Sequence, residues 1–207
     1  LGDAGIVIDD VASSTEERVF AACAASKIPM IRVMFNPPQA DDYPAQEYEY
    51  CKLVDSWIPL CEKYGVKVGV QMHHGRGAMT TADMMRVVSR FDPKHIGAIW
   101  DAAHSALAGE NPEQAIDVCW SHLCLANFKN ARWQMYGRNM DGTANFKPYF
   151  CPGPDGVLSW PRAVAHLKKK GYAGTWCMPA EYTGLTHEEE QQYAVRDLAW
   201  LKSLVEG

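Results

Sequence analysis

The chain has 207 residues, of which 47% are hydrophobic and 22% charged, and a formal net charge of −5. That apolar share supports a sizeable core, and the mild acidity argues against nucleic acid as a partner, which calls for a basic face. No run approaches the ~18 consecutive apolar residues of a membrane helix, no signal-like segment opens the chain, and seven cysteines without a Cys-x-x-Cys pair read as free thiols in a reducing, cytoplasmic setting.

In chain order, a strand stub at Gly5 to Ile8 comes first. Ser14-Thr15-Glu16-Glu17 then reads as a capping box that opens a helix through Ala25. Ile28 to Phe35 is a β-rich run ended by Asn36-Pro37-Pro38, and a helix from Ala45 to Tyr64 stops at Gly65. Val66 to Met72 is the next strand, and Thr80 or Thr81 caps a helix to Phe91. Ile96 to Asp101 is a strand, Asn111-Pro112 starts a helix to Ser121, and Leu123 to Phe128 is a strand. Asn130 to Gly156 reads as one long irregular segment, the kind of loop that acts as a lid. Pro161 to Lys170 is a helix stopped by Gly171, Thr175 to Ala180 a strand, and Thr186 with Glu189 opens the last helix, to Val205. Strands alternating with helices predict parallel βαβ units, and near-continuous apolar strands predict a sheet buried on both faces, as in a (β/α)₈ TIM barrel.

Polar residues gather where these strands end: Gln71, His73 and His74; Asp101 and His104; Asn127, Lys129, Asn130 and Arg132; and Glu181. In a βα barrel such ends converge on one cup, and a buried ring of carboxylate, amide and imidazole needs a ligand or ion to satisfy it. Structural readings stand beside this one. Asp101 with His104 is also compatible with a hydrogen bond at a helix start, Gln71 and Asn127 with amides that lock strand ends, and Glu181 with an ion pair to Lys129. Lys129 and Arg132 suit a sugar hydroxyl, a carboxylate or a phosphate, or solvent. Trp133, with Tyr136, Tyr149 and Phe150, suits an apolar wall against a sugar ring, a neighbouring subunit in a homo-oligomer, or a loop anchor. No Gly-rich phosphate loop occurs.

Four segments carry a family resemblance. GVKVGVQMHHG resembles a strand ending in Glu followed two residues later by His. IGAIWDAAHSALAGENPEQAI is similar to an Asp-x-x-His strand end with its Gly-acidic-x-Pro helix start. LCLANFKNARW resembles a His-x-Lys-Asp segment, and GPDGVLSWPRAVAHLKKKGYAGTWCMPAEY the closing helix and strand that ends in Glu. Together they resemble the xylose-isomerase-like TIM barrels, the sugar phosphate isomerases and epimerases. The resemblance implies that residues 1–207 are a single barrel domain covering about the last five βα units, with the first strands absent from the sequence. It implies a divalent metal, Mn²⁺ or Mg²⁺, held at Gln71, Asp101, Asn127 and Glu181, and no organic cofactor. Glu181 and His104 would be the catalytic pair, and His73, Lys129, Arg132 and Trp133 would bind substrate.

Two of those four positions depart from the family's residue types. Gln71 stands where a carboxylate is expected and Asn127 where an imidazole is. An amide offers one neutral oxygen to a cation and cannot act as a base. The expected activity is therefore a sugar or sugar-acid isomerase or epimerase, or a related lyase, that removes a proton next to a carbonyl, with metal assistance and a small carbohydrate as substrate. The alternative is a non-catalytic carbohydrate-binding barrel with a decayed metal site. A DNA-repair endonuclease of the same barrel class is disfavoured by the net charge of −5.

Overall fold

The computed structural model describes residues 6–37, 40 and 42–207. Its strands are β1 (Val11–Ala12), β2 (Met30–Val33), β3 (Lys67–Gln71), β4 (Ile96–Asp101), β5 (Leu123–Asn127), β6 (Asn130–Arg138), β7 (Ala144–Cys151) and β8 (Thr175–Cys177). Its α-helices are α1 (Glu17–Ala25), α2 (Tyr43–Tyr64), α3 (Thr81–Val88), α4 (Ala102–Leu107), α5 (Pro112–Cys119), α6 (Trp160–Lys169) and α7 (His187–Glu206). Six strands form one sheet in the order β1-β2-β3-β4-β5-β8, every pair parallel, while β6 and β7 form a separate antiparallel hairpin. This is the helix-covered parallel sheet of a TIM barrel, present in part.

Alternation along each strand divides the core in two. Ile31, Val68, Val70, Ile96, Ala98, Trp100 and Ala126 belong to the large cluster shared with the helices. Met30, Ile99 and Leu125 form a second cluster with Cys124 and Cys177, on the concave face. Concave space is scarce: a Cβ on Gly69 would lie 2.7 Å from Met30 Sδ and 2.8 Å from Ile99 Cδ1, and one on Gly97 would collide with Cys124 Sγ. The sheet curls enough that Thr175 Oγ1, on edge strand β8, donates to Asp9 Oδ2, just before edge strand β1, at 3.0 Å.

The alternating elements fall where the sequence places them; β4 has the expected bounds, and the other strands are one to three residues shorter at the ends that differ. Several helix signals form as expected: Thr80 and Thr186 make capping boxes with Asp83 and Glu189, Asn111 caps α5, and Gly65 ends α2 at φ 66°. Other expectations fail. Gly5 lies outside the described residues, Ile6 to Ile8 form no strand, and the first strand is the two-residue β1 further on. Pro38 also lies outside them. The Ser14 box does not form: Ser14 Oγ bonds the Glu16 side chain at 3.3 Å, and Glu16 is the uncapped start of α1. Asn130 to Gly156 is mostly the β6–β7 hairpin, in register from Asn130↔Cys151 to Arg138↔Ala144, because RWQMY and ANFKPYF alternate around an Asp141-Gly142 turn. α4 was not anticipated, since its few residues read as polar site and loop. All seven cysteines are free. Among the described residues no helix is long and apolar enough to cross a membrane.

Candidate active site at the strand ends

Gln71, Asp101 and Asn127 are the last residues of β3, β4 and β5, in phase with the concave residues Gly69, Ile99 and Leu125. Asp101 is at once a strand end and the N-cap of α4: its Oδ1 accepts from the backbone N–H groups of Ala103 at 3.0 Å and His104 at 3.2 Å. Its Oδ2 accepts from Gln71 Nε2 at 2.7 Å and Asn127 Nδ2 at 3.4 Å, with Lys129 Nζ at 3.6 Å. Complete burial pushes the Asp101 carboxyl above the ordinary carboxylate range, against the pull of the Lys129 ammonium. Every neighbour named here is an N–H donor, so the carboxyl acts as an acceptor throughout.

Lys129 lies two residues past β5 and is buried, its Nζ 5.0 Å from the Phe150 ring centre on β7. It donates to Glu181 Oε2 at 2.7 Å. Glu181 is half exposed, 47% by side chain, and follows Ala180, whose φ of 54° turns the chain after β8. Its neighbours are fixed. Tyr182 Oη donates to Asp197 Oδ2 on α7 at 3.0 Å, and the Thr183 N–H donates to the Phe150 carbonyl at 2.9 Å.

The His73 and His104 rings are in contact, tilted by 40° with centres 3.8 Å apart. Burial, then the Lys129 charge, pushes His104 down to about 2, so its ring is neutral near pH 7. Burial also lowers His73, whose Nδ1 lies 2.6 Å from the His74 carbonyl and therefore carries the proton. Both ring nitrogens of His104, and Asn127 Oδ1, are buried with no hydrogen-bond partner among the described residues. The His104 ring does not bond Asp101, since its Nε2 is 3.9 Å from Oδ2; the contact is through the backbone.

The structure thus brings together Gln71, His73, Asp101, His104, Asn127, Lys129 and Glu181. Arg132 and Trp133 are held elsewhere by β6. Arg132 stacks 4.6 Å from the Tyr149 ring centre and bonds the Asp155 carbonyl, while Trp133 Nε1 donates to the Leu107 carbonyl at 3.0 Å and its ring meets His74 edge-on. Asn130 is a buried tie that bonds Gly153, Leu158 and Ala131. A cleft of about 210 Å³ opens over the cup, lined by Ala12, Arg32, Met34, Gln71, His73, Asn127, Lys129, Pro179 and Glu181. Arg32, 3.3 Å from Asp10, went unnoticed in the sequence, although a lone arginine in the apolar run IPMIRVMF was a signal.

The donor set does not fit a resident divalent ion. Asp101, Glu181, Gln71 and Asn127 do approach one another, but an ammonium lies between the two carboxylates and both amides turn nitrogen toward Asp101. Among the described residues no three His, Cys, Asp or Glu side chains are grouped to hold a metal.

Residues 16–204 match the family described as xylose isomerase-like TIM barrel. An inosose dehydratase of Lactiplantibacillus plantarum is 25% identical over 139 residues, 64% of this chain and 46% of that protein. The chain spans about half the length of the curated relatives it matches. Among solved structures, a D-tagatose 3-epimerase-like protein superposes with a TM-score of 0.69 at 16% identity over 92% of this chain and 67% of that one. A xylose isomerase-like TIM barrel protein from Mycobacterium smegmatis in complex with magnesium gives 0.70 at 14% identity over 100% of this chain and 76% of that one. At such identities the structural likeness establishes the fold alone.

Proposed function

We propose that this chain, which belongs to the xylose isomerase-like TIM barrel family, forms as one domain the acid–base cup of an enzyme acting on a polyhydroxylated ketone, with loss of water as its reaction. One observation carries this reading. Among the described residues lining the cleft, Glu181 is the one carboxylate, it is paired with Lys129 at 2.7 Å, and an amide, Gln71, stands where a second base would be. Two-base epimerisation needs a proton acceptor on each face of the carbon. A dehydration that uses one face needs only one.

In that reaction the Glu181 carboxylate takes the proton next to the carbonyl, and the Lys129 ammonium holds the charge that develops on the carbonyl oxygen. The proton then passes from Glu181 to the departing β-hydroxyl, so hydrogen and hydroxide leave together as water. The neutral imidazole of His73, which lines the cleft, suits the orientation of hydroxyl groups, and the unpartnered Asn127 Oδ1 is the kind of atom a hydroxylated ligand satisfies. The inosose dehydratase relative favours this lyase over the isomerase arm of the sequence expectation.

The test is proton NMR in D₂O with a keto-cyclitol (an inosose) and a panel of ketohexoses. Deuterium should enter next to the carbonyl and a dehydrated product should form, with both rates lowered about 10²-fold or more in Glu181→Gln. Saturable sugar binding without any exchange would instead support the non-catalytic carbohydrate-binding barrel.

A further inference from the structure

We propose that this cup works without a divalent cation: the Lys129 ammonium takes the place between Asp101 and Glu181 that an ion would hold, and Gln71 and Asn127 serve Asp101 as N–H donors instead of oxygen ligands. The proposal concerns the same cleft as the reaction above, but it rests on the hydrogen bonds and holds whether or not the cleft turns over a substrate.

Three observations converge. The first is lone-pair occupancy. Asp101 Oδ1 is committed to two backbone N–H groups of α4, and Oδ2 to two amide N–H groups with the ammonium at 3.6 Å. An ion would have to displace donors from a carboxylate that already accepts four hydrogen bonds. The second is charge. Two carboxylates face one buried ammonium, which leaves a net −1, and a divalent ion beside that ammonium would set three positive charges against two negative ones. The ammonium cannot swing into water without leaving its place beside the Phe150 ring. The third is the choice of amides. If either amide turned its oxygen inward, it would set an acceptor against the Asp101 carboxylate, so the N–H orientation is the one that an ion-free carboxylate demands. A carboxylate at position 71 or an imidazole at 127 would instead be ready to ligate. In this cup both residue choices favour donation to Asp101 over ligation of an ion.

The experiment is calorimetric titration of the chelator-stripped chain with Mn²⁺, paralleled by the Mn²⁺ electron-spin signal. Wild type should show no saturable single site. Lys129→Met, which removes the competing charge, should gain a saturable site, and Gln71→Glu in that background should tighten that site about tenfold or more. Lys129→Gln serves if the Met variant fails to fold by circular dichroism. A stoichiometric wild-type site that disappears in Glu181→Ala would overturn the proposal. So would a folded Lys129 variant that binds Mn²⁺ no better than wild type. Neither readout depends on turnover, so failure here and failure of deuterium exchange are told apart.

Discussion

Asp101 holds two structures with one carboxylate, since Oδ1 starts α4 and Oδ2 gathers the ends of β3 and β5 together with Lys129. The two functions separate by mutation. Asp101→Asn keeps a capping oxygen but replaces the charged Oδ2 by an N–H donor that Gln71 or Asn127 can meet only by turning its amide oxygen inward, and should destabilise by about 1–2 kcal/mol. Asp101→Ala loses both and strands the Gln71 and Asn127 donors in a buried site, which should raise the loss to about 3–5 kcal/mol. Urea unfolding reads the order, and equal losses would mean that the cap contributes nothing. At this scale the sequence was informative wherever position depends on strand phase. Gln71, Asp101 and Asn127 could be placed because each ends an apolar strand on a predictable face. What each touches was not legible. The Lys129–Glu181 pair joins residues 52 positions apart, and the sequence left it open beside a substrate-binding role. Arg132 and Trp133 were expected at the substrate, but the hairpin that carries them turns Arg132 onto Tyr149 and ties Trp133 to the Leu107 carbonyl.

Elements set by local chemistry were legible, and elements set by tertiary packing were not. The barrel strands announced themselves as short apolar runs between helix stops and caps. The β6–β7 hairpin did not, because its apolar residues are not gathered in a run and four of them, Trp133, Met135, Tyr136 and Phe146, stay exposed; the signal it carried was alternation around Asp141-Gly142. Its inner residues Ala131 and Phe150 pack instead on Ala103 and Leu107 of α4, another element hidden by its brevity. The concave face of the barrel strands carries a sharper expectation. Gly69 on β3 faces Met30 and Ile99, and a methyl group there would sit inside contact distance of both. Gly69→Ala should therefore destabilise by about 1–3 kcal/mol through overpacking, although alanine suits a strand at least as well as glycine. Restoration of stability by Met30→Ala in the same chain would show that the clash is with that side chain. Loss that Met30→Ala leaves untouched would place the clash with Ile99 instead.

Over the whole molecule, the buried cup should make stability depend on pH, and the sign can be worked out. His104 is held down to about 2 in the folded chain, mainly by burial, against about 6.5 when unfolded. Below about pH 6.5 the unfolded chain binds a proton that the folded chain refuses, so stability is full above that pH and falls on acidification by about 1.4 kcal/mol per pH unit for one such group. His73, also lowered by burial, acts in the same direction. Asp101 acts in the opposite one: its raised carboxyl keeps a proton that the unfolded chain has lost, so its contribution grows as pH falls. The wild-type curve is the sum, and the difference between wild type and His104→Asn isolates one member of it, because Asp101 is present in both chains. Urea unfolding at pH 7, 6 and 5 should find the wild type losing stability more steeply than His104→Asn, by up to about 1.4 kcal/mol per pH unit below pH 6.5. The two chains should be parallel above pH 7, where His104 is neutral whether folded or not. Parallel curves across the whole range would mean that the folded chain protonates His104 as readily as the unfolded one, and that the ring is not sealed beneath His73 and Phe150 as its burial and ring contacts indicate.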